Sequence, residues 1–96
     1  MDYNEYLKKQ LEDEEFKKEW EEFQPELLLM KQIIGERIKQ NLTQKELAEK
    51  MGTKQANISK LENGNANPSL EFLKKLANAL GKKLEIKLVW VSFNNK

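Results

Sequence analysis

Two residue types are missing from the 96-residue sequence, cysteine and histidine. Without cysteine the chain has no disulfides and no thiolate chemistry, which suits a reducing compartment, and we expect a cytoplasmic protein. Without histidine it lacks the commonest general base and the commonest transition-metal ligand. A chain of this length also has little room for an enclosed substrate pocket. We therefore predict that the protein is not an enzyme and that it binds no metal and no cofactor.

Long apolar runs are also absent. No stretch approaches the roughly 20 residues that cross a bilayer, and the first residues lack the apolar segment of a secretory signal. We therefore expect no membrane association. Charged residues make up 34% of the chain and hydrophobic residues 39%, a balance that is typical of a helix-rich, water-soluble protein. The length predicts one small domain with appendages.

Acidic and basic residues are distributed unevenly along the chain. Residues 1–26 carry ten acidic and four basic side chains, a net charge of −6, whereas residues 27–96 carry thirteen basic and six acidic ones, a net charge of +7. The basic part suits the phosphates of a nucleic acid, and the acidic part suits a basic protein. The alternative is that both are solvated helix faces, which charge alone does not exclude.

Residues 1–24 are interpreted as an acidic amphipathic helical arm. Their apolar residues follow at helical spacings of four and three, with a shift of phase inside Glu12–Glu15, so one kinked helix or two short helices would satisfy the pattern. The stripe consists of Tyr3, Leu7, Leu11, Phe16, Trp20 and Phe23. We expect Pro25 to end this helix and to begin the next, because the residue before a proline avoids the helical conformation.

Residues 25–81 are predicted to form a domain of four helices. The first runs from Pro25 to about Gln40. The second begins at Thr43, which has the capping-box spacing to Glu46, and it ends at Gly52, where a left-handed residue is needed. The apolar stripe of the first helix is Leu27, Met30, Ile34 and Ile38.

Two further helices complete this predicted domain. One spans Lys54 to Asn63, with Thr53 as its cap and Gly64 after its end, and the other follows a Ser69 cap and runs through Leu80. We expect the inward-facing residues of the last three helices to be Leu47, Ala48, Met51, Ile58, Leu61, Leu70, Leu73, Leu76, Ala77 and Leu80.

Residues 82–96 change to a period of two, which predicts a single β-strand over Leu84–Val91. A lone strand leaves its backbone groups unpaired, so it needs a partner from outside its own domain. We expect it to pair with the same strand of a second copy and form a homodimer; pairing with the sheet of another protein is the alternative. The predicted interface residues are Leu84, Ile86, Leu88 and Trp90.

The predicted helix after Thr53 presents a polar face opposite a narrow apolar seam. Ile58 and Leu61 share the inward side. At the remaining positions of this helix, Asn and Gln can form hydrogen bonds with an adenine edge, Lys can reach guanine or phosphate, and Ala can contact a thymine methyl group. This chemistry predicts recognition of double-stranded DNA in the major groove. The residues concerned are Lys54, Gln55, Ala56, Asn57, Ser59, Lys60 and Asn63.

The stretch from Ile34 to Gly81 resembles the Cro/repressor-type (Xre) helix-turn-helix family. TQKELA at 43–48, the turn at Gly52, ISKLENG at 58–64 and PSLEFLKKLA at 68–77 carry the resemblance. It implies that Thr43 and Gln44 belong to the DNA-binding residues, with Gln44 in contact with a phosphate or a base. It also implies that the polar face defined above lies in the groove, with a backbone contact from Asn63. At position 56, where many members carry a polar or basic residue, this chain has Ala.

The predicted fold is therefore all-α, an Xre-type bundle with an N-terminal helical arm and one C-terminal strand. We expect a homodimer on a palindromic operator.

The whole layout is also similar to that of HigA-type antitoxins, through an FxxxWxxxxPE-like segment over Phe16–Glu26. This resemblance implies a basic RelE/HigB-like ribonuclease toxin as partner, which the protein neutralises while repressing its own operon. The toxin-binding residues would be those of the apolar stripe in the arm, from Tyr3 to Phe23. Aromatic side chains at such spacings serve as anchors in helix-in-groove contacts, although the stripe could instead cover the protein's own core. The alternative is a repressor of a phage or mobile element that has no toxin partner.

Overall fold

Five α-helices make up the regular structure of residues 2–90, the part of the chain that the computed structural model describes. They are α1 (Tyr3–Gln10), α2 (Glu14–Lys39), α3 (Gln44–Met51), α4 (Gln55–Glu62) and α5 (Leu70–Ala79). The expectation of a mostly helical fold is confirmed. No helix within these residues is long and apolar enough to cross a membrane.

The acidic run at residues 12–15 divides the arm into two helices. α1 ends at Gln10, with Leu11 as its C-cap. Asp13 caps the next helix by accepting hydrogen bonds from the backbone N–H groups of Glu15 and Phe16, at 2.9 and 3.1 Å. An aspartate at this position satisfies donors that have no partner in the first turn. Of the two arrangements that the apolar pattern allows, the structure has two helices with a break at the phase shift.

The predicted helix boundary at Pro25 is wrong, because α2 continues through the proline. Pro25 has no N–H, so the carbonyl of Glu21 loses its usual partner four residues later, which normally makes an interior proline unfavourable. Residues 21–26 are all exposed, so water can hydrate that carbonyl. The Gln24 amide nitrogen also donates to the Trp20 carbonyl at 3.1 Å. The boundary between the arm and the domain therefore lies inside one helix.

The core lies where α2, α3, α4 and α5 meet, and it consists of Ile33, Leu47, Ala48, Ile58, Leu61, Leu76 and Leu80. Six of these seven residues were predicted to face inward. The seventh corrects the stripe of α2: Ile33 is buried, whereas Ile38 is 60% exposed. The buried face continues four residues later at a charged residue, Arg37, so a search for apolar spacing did not find it.

Leu70 was predicted to face inward and is 52% exposed. It is the first residue of α5, one position after the Ser69 cap, and it lies beside Lys74, Leu84 and Ile86 at the protein surface. Further along α5, Leu76 is buried and Leu73 is half-buried. The ends of α2 and α5 are joined by a hydrogen bond from the Gln40 side-chain amide to the Leu80 carbonyl at 2.7 Å.

The helix ends follow the predicted caps with one exception. Thr43 and Glu46 form the capping box, Gly52 has φ +73°, and the Ser69 hydroxyl accepts from the Phe72 N–H at 3.0 Å. Thr53, however, does not cap α4. The cap position is Lys54, which makes no side-chain cap hydrogen bond.

The predicted C-terminal strand is not present within the described residues, which end at Trp90. Residues 82–90 have no secondary structure; Leu84 is half-buried, and Ile86, Leu88 and Trp90 are 64%, 100% and 99% exposed. A strand needs the hydrogen-bonding edge of another strand, and residues 2–90 of a single chain provide none. Val91 and the rest of the predicted tail lie outside the described residues.

Candidate nucleic-acid interface

A glycine turn holds α3 and α4 at a fixed angle. Gly52 takes the left-handed conformation that ends α3, and the Thr53 N–H donates to the Ala48 carbonyl at 2.9 Å. Such a bond satisfies a carbonyl at the helix end. Behind the turn, Leu47 and Ile58 are the largest fully buried side chains. Since these apolar groups interlock, α4 cannot rotate without opening the core.

The outer face of α4 is free of the protein's own packing. Ile58 and Leu61 are buried on the inner side. On the outer side, most of the side chains predicted to contact DNA are exposed, and Ser59 is half-buried. The exposed ones are Lys54, Gln55, Ala56, Asn57, Lys60 and Asn63. The structure therefore brings these predicted residues together on one surface, while their contacts with bases stay a prediction.

One amide of this surface is oriented by its neighbour. The side-chain nitrogen of Asn57 donates to the Thr53 hydroxyl at 2.8 Å. With the nitrogen occupied, the carbonyl oxygen of the Asn57 amide is the group turned away from the bond. An oriented amide loses less conformational entropy when it meets a base edge. Thr53 thus orients a side chain on the outer face of α4, although it does not cap the helix.

A charged pair that sequence interpretation missed anchors the end of α4. Glu62 is 6% exposed, and it accepts hydrogen bonds from Arg37 Nε and Nη2 at 2.7 and 3.0 Å. The remaining Arg37 nitrogen donates to the Leu42 carbonyl at 2.9 Å. Two parallel hydrogen bonds fix both side chains in one plane. Hydrogen bonding to Glu62 raises the pKa of Arg37, so the guanidinium stays charged.

Gln44 takes part in the same network. Its side-chain nitrogen donates to Glu62 Oε1 at 3.1 Å, and the side chain is half-buried. Glu62 thus joins α2, the first residue of α3 and the last residue of α4. One sequence signal could have revealed this network: Arg37 is a charged residue at helical spacing, four positions after Ile33, on the buried side of α2. The role of Gln44 in contacting DNA stays a prediction; Thr43 beside it is exposed.

The predicted toxin-binding stripe of the arm is exposed to different degrees. The rings of Phe16 and Trp20 stack with centroids 6.5 Å apart and an angle of 12° between their planes, and both side chains are half-buried. Tyr3 is 67% exposed, and Phe23 is 37% exposed. The other two members, Leu7 and Leu11, are half-buried.

Residues 35–87 match the model of a family described as helix-turn-helix, which covers more than half of the chain. The chain belongs to the helix-turn-helix family. In its terms, α3 and α4 are the two helices of the motif, and α4 carries the exposed polar surface. Arg37, although it lies outside these two helices, supports the motif through Glu62.

Two relatives of this helix-turn-helix protein bear the same description, uncharacterized HTH-type transcriptional regulator. The one from Haemophilus influenzae is 43% identical over 58 residues, which are 60% of this chain and 59% of the relative. The one from Archaeoglobus fulgidus is 43% identical over 49 residues, 51% of this chain and 69% of the relative. The chain thus spans about three fifths of the length of the first. No solved structure matches the chain.

Proposed function

We propose that this protein is a DNA-binding transcriptional regulator that recognises base pairs in the major groove with α4. The observation that carries the proposal is the exposed outer face of α4, where Gln55, Asn57 and Lys60 stand on a helix fixed by the core and by Glu62. These side chains match the hydrogen-bonding groups that base pairs display in that groove. The net charge of +7 over residues 27–96 adds attraction to the phosphates.

A selection experiment tests this function. The full chain is incubated with duplexes that contain a randomised stretch, bound duplexes are recovered at physiological salt, and their sequences are compared. We expect a pseudo-palindromic site whose halves lie about 10 bp apart or a multiple of that. Recovery of duplexes without any sequence preference would refute the proposal. In that case the polar face of α4 is a solvated surface.

Recognition of two half-sites requires two copies of α4. We propose that the apolar residues after Gly81 join two copies, with Leu84, Ile86, Leu88 and Trp90 in the seam. Antiparallel pairing about a two-fold axis would supply the strand partner that one chain lacks and would cover Trp90. The alternative is that this segment adds a strand to the sheet of a different protein.

We also propose that residues 1–24 bind a basic protein, and that this partner is a RelE/HigB-like toxin which the chain neutralises. The support is the net charge of −6 over residues 1–26 and the half-buried aromatic pair of Phe16 and Trp20. An acidic surface repels DNA phosphates, so a second partner of opposite charge suits it better. A repressor without a toxin partner remains the alternative, and it needs only the α4 surface.

The two alternatives differ in what co-purifies with the chain. The gene beside the one that encodes this protein is co-expressed with it, and its product is tested for binding and for ribonuclease activity. With a toxin partner, Trp20→Ala should weaken the complex by about 2 kcal/mol, the cost of losing a central aromatic anchor. Tyr6→Ala is the control, because Tyr6 is another aromatic residue of the arm, 52% exposed, that lies outside the predicted stripe. If no basic protein binds, the chain is a plain repressor.

A further inference from the structure

Two side chains of α2 lie against the turn that follows α4. Gly64, which follows α4, has φ +75°. A β-carbon built on Gly64 would lie 3.1 Å from the sulfur of Met30 and 3.8 Å from Cζ of Phe23. The first distance is too short for a relaxed contact, so Met30 rests directly on the glycine backbone. A residue with a side chain would push Met30 away from this turn.

Phe23 and Met30 act together because α2 is continuous. They are seven residues apart, two helical turns, so they project from the same face. Phe23 stands before Pro25 and Met30 after it. If the helix ended at the proline, as the sequence predicted, these side chains would not share a face. The contact with Gly64 therefore depends on the unbroken helix.

The covered turn is connected to the base-contacting surface of α4. The Asn65 N–H donates to the Lys60 carbonyl at 2.8 Å, and the Gly64 N–H donates to the Leu61 carbonyl at 3.2 Å. A shift of the turn thus moves the backbone that carries Lys60 and Asn63. On the other side of the same helix end, Arg37 holds Glu62. The end of α4 is fixed by an ion pair on one side and by apolar contact on the other.

We infer that Phe23 and Met30 are positioning residues for DNA recognition, which set the direction of Lys60 and Asn63 by holding the Gly64 turn. This inference rests on the proposed function of α4. Neither side chain touches DNA. Their effect is confined to the C-terminal half of α4, since Gln55 at the other end is held by the Gly52 turn and the core instead.

The test compares sequence preference, base pair by base pair. The site selected by the wild-type chain is changed at each position in turn. Lys60→Ala and Asn63→Ala show which base pairs depend on the end of α4, and Gln55→Ala shows which depend on its beginning. Phe23→Ala should weaken binding about three- to tenfold and lose discrimination at the Lys60 and Asn63 positions only. Phe23→Leu, which retains an apolar contact, should restore most of that discrimination.

The matched control is Leu28→Ala, because Leu28 is a large apolar residue of the same helix that is 58% exposed. It should bind as the wild type does. A thermodynamic cycle provides the second measurement: Phe23→Ala should have little further effect in a chain that carries both Lys60→Ala and Asn63→Ala, and its full effect in the Gln55→Ala chain. If Phe23→Ala does not fold, Met30→Leu is measured in its place. It should lose discrimination at the same base pairs, but by a smaller factor.

Two results would overturn the inference while leaving the proposed function intact. One is wild-type affinity and discrimination in Phe23→Ala. The other is a uniform loss of affinity at all base pairs, together with a lowered Tm, which would mean that Phe23 only stabilises the fold. A wild-type chain that selects no sequence would instead refute the proposed function and this inference with it.

Discussion

Substitution of Arg37 by alanine provides the most direct test of how α4 is held. Arg37→Ala removes two hydrogen bonds to Glu62 and one to the Leu42 carbonyl. It leaves the carboxylate of Glu62 buried, with the Gln44 amide as the donor recorded beside it. A buried charge without its partner is the costly outcome, because burial leaves water little access to compensate for it.

The expected loss follows from the burial of the pair. Breaking a buried ion pair by removing one partner costs about 3–5 kcal/mol. The Arg37 side chain is 15% exposed and that of Glu62 is 4% exposed, so some hydration of the abandoned carboxylate favours the lower end, about 3 kcal/mol. At about 4–8 °C per kcal/mol for a domain of this size, the Tm should fall by about 12–24 °C. Thermal unfolding followed by circular dichroism measures the change.

Two variants serve as controls for this prediction. Lys75→Ala breaks the exposed pair of Lys75 with Glu71, 3.8 Å apart, and should cost less than about 0.5 kcal/mol. Arg37→Met combined with Glu62→Leu leaves no buried charge and should cost less than Arg37→Ala alone. A free energy of unfolding for Arg37→Ala within about 1 kcal/mol of the wild type would contradict this prediction, and so would a double variant that is the least stable of the three.

Three further predictions concern the surface of α4, the capping box and the tail. Gln55→Ala should reduce discrimination by about 1–3 kcal/mol at one base pair in a gel-shift series, whereas Gln32→Ala on α2 should not; equal effects would contradict the assignment. The hydrogen bond from the Thr43 backbone lowers the pKa of Glu46, so its contribution to stability is present above the ordinary carboxyl pKa and is lost as the pH falls through the lowered one. Glu46→Gln should therefore flatten the loss of stability at acid pH in urea unfolding, and an unchanged slope would speak against this. A chain that ends at Lys83 should sediment as a monomer and lose most operator affinity; a dimer would exclude the tail as the seam.

Local patterns predicted the parts of the fold that are determined locally. The capping box at Thr43, the glycine that ends α3 and the buried faces of α3 and α4 depend on residues within four positions of each other. At that range, spacing specifies which side chains share a face. The same spacing predicted the exposed surface of α4, because the residues opposite its buried seam must face outward.

The features that the sequence did not predict depend either on contacts between residues far apart in the sequence or on an exception to a local rule. Helices usually end before a proline, but α2 continues through Pro25, and the exposed surroundings of Glu21 make this exception tolerable. Arg37 and Glu62 are 25 positions apart, and no spacing rule pairs them. The tail alternates as a strand does, yet a strand forms only where another edge accepts it.

The continuous helix α2 has a consequence for how such a protein can change in evolution. A single residue inserted between Trp20 and Pro25 would rotate everything before it by about 100° around the helix axis and displace it by about 1.5 Å. The aromatic pair would then face a different direction from the domain, and an insertion after Phe23 would also move Phe23 away from Gly64. We therefore expect exchange of the N-terminal segment between related regulators to be tolerated best at the break over residues 11–13, where no helix is interrupted.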